Sequence, residues 1–164
     1  MALSKEKSSQ SRGGLDEKDL AILSILEKNA RFTIKEIAEK VNLSTTPVHE
    51  RIKRMEEAGI IKQYIALLDA SKLNKSLTVI CYVSLKEHGK KAGSHFINAI
   101  QNMPEVAECF SISGEFDFLL KVICEDMNSY YDFHVNTLSE IENVGHVQSV
   151  FVMGVIKDSH RLVY

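Results

Sequence analysis

The sequence predicts an α+β chain in two parts. An amino-terminal winged helix-turn-helix domain covers residues 15–63, and a ferredoxin-like βαββαβ domain with an antiparallel sheet covers residues 76–164. Three observations carry this. Apolar residues recur at helical spacing in three short segments before Gly59. After Leu77 the spacing switches between period two and period 3.6 in the order strand, helix, strand, strand, helix, strand. A chain of 164 residues, 45% hydrophobic and 26% charged, is also long enough for one domain or two small ones.

Residues 1–14 are rich in Ser, Lys and Gly, with too little apolar content to offset the entropy of ordering, so a flexible tail is expected. Its Lys5, Lys7 and Arg12 could add contacts to a polyanion. The first helix should run from about Asp16 to Asn29: Asp16 can cap the free amides, Glu17 and Asp19 suit the positive end of the dipole, and Ile22, Leu23, Ile25 and Leu26 form the apolar stripe. Thr33 and Glu36 stand in capping-box relation, with Ile34, Ile37, Ala38 and Val41 following at helical spacing. Asn42 can take the left-handed conformation that ends this second helix, and Leu43 can point inward. Ser44 can cap a third helix, whose first turn tolerates Pro47 because amides there have no intrahelical partner. Val48, Ile52 and Met55 share one face of it, and Gly59 marks its stop.

Residues 64–75 are expected to form an extended linker strand. Beyond it, Leu77, Val79, Cys81, Val83 and Leu85 alternate with polar neighbours as a half-buried strand does. Ala92, Phe96, Ala99, Ile100 and Met103 predict a helix closed by Pro104. Val106–Ser113 and Phe116–Cys124 predict a hairpin about Gly114 and Glu115, with Phe118, Leu120, Val122 and Cys124 on one side. A helix over about Met127–Ile141 should bring Tyr131, Val135 and Leu138 together, and Val147–Ile156 should be the last strand. Both helices then cover one sheet face. The other, with Ile80, Leu119, Ile123, Val150 and Val152, is left for a second copy, so a homodimer through the second domain is predicted.

Charge and composition narrow the function. Residues 1–63 carry twelve Lys and Arg against ten Asp and Glu, while residues 64–164 carry eight against twelve, so the first part suits a polyanion better. Cys81, Cys109 and Cys124 lack a Cys-x-x-Cys spacing and each sits among apolar neighbours, which argues against a disulfide framework or zinc site. The absence of a long apolar run or a secretion signal predicts no membrane partner and a cytoplasmic location.

Several motifs fall in register with this architecture: Leu15-Asp16-x-x-Asp19, Arg31-Phe32-Thr33, Ile37-Ala38, Leu43-Ser44-x-x-Pro47-x-x-x-Arg51-Ile52, Gly59-Ile60-Ile61 with Tyr64, and Ser113-Gly114-Glu115-Phe116-Asp117. In these the chain resembles the Lrp/AsnC family, the leucine-responsive or feast/famine transcriptional regulators, over nearly its whole length from Leu15. One departure is Gln63, where the family often has a glycine before the tyrosine. The resemblance implies a sequence-specific regulator that binds double-stranded DNA and responds to a small amino acid at a subunit interface. It also implies assembly of dimers to an octamer.

On the third helix, Thr46, Glu50 and Lys53 lie opposite the apolar stripe, flanked by Thr45, His49 and Arg54. Base-edge contact is assigned to Thr45, Thr46, His49 and Glu50, and phosphate contact to Lys53, Arg54 and the Ser44 hydroxyl. Arg51 fits a structural ion pair and a phosphate contact equally. An amino acid needs an anion for its ammonium, donors for its carboxylate and an apolar wall. Asp117 can supply the first, the amides around Ser113, Gly114 and Glu115 the second, and Val150, Phe151 and Val152 the third, suiting an aliphatic effector. Gly114 could equally serve only the turn, and Asp117 only the hairpin amides.

Two other readings compete. Sirohaem decarboxylases use the same two-domain scaffold, but catalysis on a polycarboxylate needs a cationic pocket and a general acid or base. The second part here is acidic, and His49, His88, His95, His134, His146 and His160 form no catalytic or metal-binding spacing, so no enzyme, cofactor or metal is expected. An amino acid sensor without DNA binding would have a degenerate first domain, whereas the recognition helix is intact.

Overall fold

The computed structural model describes residues 14–87, 89–158 and 162; the expected tail, apart from Gly14, lies outside them. The described residues form two compact units, divided between Ala66 and Leu67, and Asp158 and Leu162 group with the first unit. Within that unit the Leu162 amide donates to Glu27 Oε1 at 3.0 Å.

The first unit is three helices, α1 (Glu17–Lys28), α2 (Ile34–Val41) and α3 (Thr45–Glu57). Their apolar faces close one core of Ile22, Ile37, Ala38, Val41, Val48, Ile52 and Met55, with Leu15, Leu26, Phe32 and Leu43 packed at its edge. The caps form as the sequence leads one to expect. Asp16 and Asp19 make a reciprocal capping box on α1, Thr33 and Glu36 make one on α2, and Asn42 ends α2 in the left-handed region at φ 53°.

The second unit contains β1 (Leu77–Leu85), α4 (Lys90–Ile100), β2 (Val106–Ser111), β3 (Phe118–Cys124), α5 (Met127–Phe133) and β4 (Val144–Phe151). The sheet order is β2-β3-β1-β4, and every neighbouring pair is antiparallel. One face of β1 and β3 packs with Phe96 and Ile100 of α4 and with Tyr130 and Phe133 of α5, so both helices lie on that face. Where β4 meets the end of β1 the register shifts between Ser84 and Leu85. Gly145 sits at this irregularity, and a Cβ there would stand 3.1 Å from the Ser84 carbonyl oxygen, a tight contact that β1 would have to relax by a few tenths of an ångström.

Four expectations need correction. The linker strand is not formed: residues 62–69 join no ladder, because no described strand of the same chain lies beside them. A single 3-10 turn, Ala70–Leu73, follows, capped by Asp69. β2 and β3 stop short of the expected hairpin turn, and residues 112–117 form a wider loop closed by the Ile112 amide on the Asp117 carbonyl at 2.9 Å. β4 starts three residues earlier than expected, opposite Leu85, and ends at Phe151 because β1 begins at Leu77 and offers little further to pair with.

The last helix is the most instructive correction. After Phe133 it widens into a π turn, His134–Leu138, which adds a residue to the helical repeat. The buried side chains are therefore Tyr130, Phe133 and Leu138, while Tyr131 is 67% exposed and Val135 also lies outside the core. The cysteines divide as well: Cys81 and Cys124 are buried, but Cys109 is exposed because β2 is an edge strand. The corrected helix phase is directly testable by urea unfolding. Phe133→Ala and Leu138→Ala should each cost about 2–5 kcal/mol, whereas Tyr131→Ala should stay within about 0.5 kcal/mol of the parent.

Candidate nucleic-acid interface and ligand-binding face

The turn between α2 and α3 fixes how the third helix leaves the first unit. Leu43 donates its amide to the Ala38 carbonyl at 3.0 Å and packs against the core, so the chain reverses around a buried anchor. Ser44 then occupies the cap position of α3, yet its hydroxyl makes no cap hydrogen bond. Val48, Ile52 and Met55 face the core, while Ser44, Thr45, Thr46, His49, Glu50, Lys53 and Arg54 are all exposed. Among the described residues Lys53 makes a long exposed i,i+4 pair with Glu57 at 3.7 Å, a contact of little energetic weight.

Arg54 is less available than expected. Its Nη2 donates to Asp19 Oδ2 at 2.7 Å, so part of the guanidinium is engaged by α1. Arg51 Nη1 donates to Asp19 Oδ1 at 2.7 Å and to Asp16 Oδ2 at 2.6 Å, which makes it a structural ion pair. Asp19 itself has a side chain only 1% exposed. Its second oxygen also accepts the Asp16 amide at 3.0 Å, so this buried carboxylate is closed by two guanidinium groups and a backbone N–H. The Asp19 amide and the Arg51 guanidinium hold the Asp16 carboxyl below its ordinary pKa, and the two carboxylates hold the Arg51 guanidinium above its own.

The sequence contained a signal for this cluster. Asp19 and Ile22 are three residues apart and share the buried face of α1, so a carboxylate there requires donors from the facing helix. Arg51 and Arg54, also three apart, supply them. Beside α3 the unit also has an open cavity of about 570 Å³, with Phe32, Ile37, Ile52 and Tyr64 among its walls. The Tyr64 hydroxyl donates to Glu56 Oε1 at 2.7 Å, and burial, followed by this bond, pushes its pKa up to about 12.

In the second unit the predicted effector residues are not brought together. Ser113, Gly114 and Glu115 are exposed on the wide β2–β3 loop, with Gly114 at φ 135°, a conformation that L side chains rarely adopt. Asp117 Oδ2 accepts the Leu85 amide at 2.8 Å, and the Asp117 amide donates to Val83, so the residue ties the loop to the end of β1. Val150 pairs with Ile80, four residues up β1 from Ser84, which puts it about 13 Å along the sheet from that end.

Nor can the consecutive residues Val150, Phe151 and Val152, at and just past the end of β4, build one wall, because successive side chains of extended chain point to opposite faces. Val150 lies on the face opposite the helices, with Ile80. Phe151 pairs with the buried Val79 and sets its ring edge-on to Tyr130, 5.5 Å between centroids. The groups that do accompany the Asp117 loop are Phe116, Tyr82 and His146, whose rings lie 5.4 and 6.1 Å from the Phe116 centroid. Their sequence separation concealed this grouping. The second unit also has an open polar cavity of about 560 Å³, lined by Lys86, Glu87, Lys91, His95, Glu142 and Asn143 among others, and no predicted effector residue lines it.

Comparison with known proteins follows the same two-unit division. Residues 15–62 match a family model described as winged helix-turn-helix DNA-binding, and residues 78–162 match one described as the Lrp/AsnC ligand binding domain. The leucine-responsive regulatory protein of Rhizobium meliloti is 37% identical over 145 residues, covering 88% of this chain and 93% of that one. The protein of the same name from Escherichia coli is 37% identical over 149 residues, 91% of each chain. Among solved structures, a transcriptional regulator from Neisseria meningitidis in complex with L-Met is 38% identical, with a TM-score of 0.87 over 91% of this chain and 96% of that one. An AsnC family regulator from Agrobacterium tumefaciens is 36% identical, with a TM-score of 0.86 over 91% and 97%.

The Asp16 cap gives the first unit a pH dependence. A carboxyl whose folded pKa is depressed contributes stability that is complete above its ordinary value, 3.8, and is lost as pH falls through the lower folded value. Helical circular dichroism should therefore decline in an acid titration below about pH 4. Asp16→Asn, which keeps the capping oxygen but does not titrate, should flatten that decline.

Proposed function

The chain belongs to the Lrp/AsnC family of transcriptional regulators, and from that membership we propose that α3 reads duplex DNA under the control of a small amino acid bound between subunits. The observation that carries the DNA reading is the two-sidedness of α3. Its apolar face is fully used by the core, and its polar face is left exposed from the cap onward. Thr45, Thr46, His49 and Glu50, near the amino end, are the base-reading residues; Lys53 and the unengaged Ser44 hydroxyl meet phosphate. One such head contacts few base pairs, so a dimer supplies the second and reads an approximately palindromic site.

The sheet supports the dimer. Ile80, Leu119, Ile123 and Val152 are only partly buried in the single chain, and Val150 and Phe110 are exposed with them on the face away from the helices. A second copy covers this face, and dimers assemble further, to an octamer in the reading adopted here. The effector is a small, aliphatic amino acid; the similar Neisseria regulator is solved in complex with L-Met, whose side chain is likewise apolar. Its ammonium meets Asp117, its carboxylate the amides around Ser113, Gly114 and Glu115, and its side chain an apolar surface including Val150 and Val152 of another copy. The separation of these groups in one chain supports a site completed between subunits.

Control is by linkage and requires no catalysis. An effector that binds one arrangement of heads tenfold better shifts the equilibrium by about 1.4 kcal/mol, and DNA shifts effector affinity by the same factor. The protein acts in the cytoplasm, where its DNA and amino acid ligands are found.

Two measurements check this reading. In DNA-binding titrations across salt concentrations, Lys53→Ala should weaken all sequences alike and reduce the salt slope by about one per head, whereas Thr46→Ala should change which sequences selection recovers. Equal, sequence-blind effects would remove the division of roles. In calorimetry with aliphatic amino acids, Asp117→Asn keeps an acceptor for the Leu85 amide but removes the charge; it should abolish effector binding while leaving effector-free DNA affinity near that of the parent. Normal effector binding by this variant would displace the site.

A further inference from the structure

We propose that Asp19 is a positioning residue for DNA binding: from inside the first unit it holds the Arg54 guanidinium at the edge of α3, where the outer part of that group meets a phosphate. The inference rests on the reading of α3 as the DNA-contacting helix. Arg54 follows Glu50 by four residues, so it lies about 40° round the helix from one of the outward positions. Its side chain is 57% exposed although it makes a 2.7 Å ion pair with a carboxylate that is 1% exposed. A guanidinium has five N–H donors in a planar fork, so an Arg held on one edge by a carboxylate retains donors for a second anion.

The second arginine explains how such sharing is possible. A buried carboxylate abandoned by its only cation would be costly, and an approaching phosphate would have to compete with it. Asp19 is not in that position. Arg51, with a side chain only 24% exposed, donates to Asp19 Oδ1 and also to Asp16, and the Asp16 amide donates to Oδ2. With Arg51 and that amide in place, Asp19 remains closed while Arg54 turns part of its charge outward. The two arginines thus have different duties: Arg51 neutralises the interior, and Arg54 bridges interior and ligand. Fixing Arg54 in advance also removes rotamer entropy that a free side chain would lose on binding.

The test uses the full chain and a duplex recovered by selection from random DNA, with the salt slope of binding measured below the melting temperature of every variant. Arg54→Gln should reduce the slope by about one per head. Asp19→Asn changes no cation, yet should reduce it by nearly as much, and the double variant should lose little more than either single one. Arg51→Gln should lower the melting temperature and leave the slope unchanged. An unaltered slope in Arg54→Gln overturns the proposal, as does an Asp19→Asn protein that is less stable but has the parent's slope. If Asp19→Asn fails to fold, an unaltered slope in Arg54→Gln, on a mostly exposed side chain, still overturns the proposal. Failure of the unsubstituted protein to bind any duplex would instead remove the DNA reading of α3 itself, and this inference with it.

Discussion

A carboxylate shut away from water must be closed by donors, and in the first unit that requirement fixes everything else. Asp19 lies on the buried face of α1 and cannot be satisfied by α1 alone beyond the Asp16 amide. Two guanidinium groups from α3 complete its shell. Hydrophobic packing of Ile22 against Val48, Ile52 and Met55 supplies most of the driving force, but such contacts have little directionality. The ion pairs have a strict geometry, so they determine where α3 lies along and around the core. Lys18 adds a further tie, donating to the carbonyl of Val41 at the end of α2 at 2.6 Å.

The second unit is governed by a different constraint, the two-sidedness of its sheet. On the two central strands the residues that face the helices are packed: Val79, Val83, Leu120 and Val122 are fully buried. Within that interior the Tyr130 hydroxyl joins Cys81 Sγ at 3.2 Å and Ser149 Oγ at 2.5 Å, so its polar tip is satisfied. Among the described residues the opposite face has no such partner. Its aromatic cluster of Tyr82, Phe116 and His146, beside the Asp117 loop, places specific polar and aromatic groups at the edge of a broad apolar surface.

How much of this was legible from sequence depended on the range of the interaction. Caps and stripes are local: Asp16, Thr33, Asn42 and the Val48, Ile52, Met55 face follow from spacings of three and four residues, and they stand in the structure as expected. The alternation along β1 and β3 was equally plain. Errors entered where periodicity changes without a compositional mark, as in the π turn that moved the buried positions from Tyr131 and Val135 to Tyr130 and Phe133. They also entered where register between strands decides proximity. Val150 and Asp117 looked compatible as ligand groups, but no local pattern reveals that β4 pairs with β1 in a register that separates them. The ion pair of Arg54 with Asp19 was not legible, because exposure and ion pairing are not alternatives for so long a side chain.

The same register constrains how a regulator of this design can couple its two tasks. An anion near Asp117 and an apolar wall at Val150 and Val152 lie at different levels of one sheet, so a single chain does not bring them around one small ligand. A single α3 likewise offers too few contacts to select a site. On the proposed reading both functional sites are therefore incomplete in the monomer, and both are completed by further copies. A ligand can shift an equilibrium only by its differential affinity for the states involved. If the ligand site exists only between subunits, those states are arrangements of subunits, and the quantity they change for DNA is the relation of one head to the next. Coupling then needs no path of side chains from the sheet to α3 inside one chain. What each head must contribute is rigidity, so that displacement of the whole unit becomes displacement of Thr46, His49 and Glu50. The closed shell around Asp19 provides that rigidity where the recognition helix joins its core.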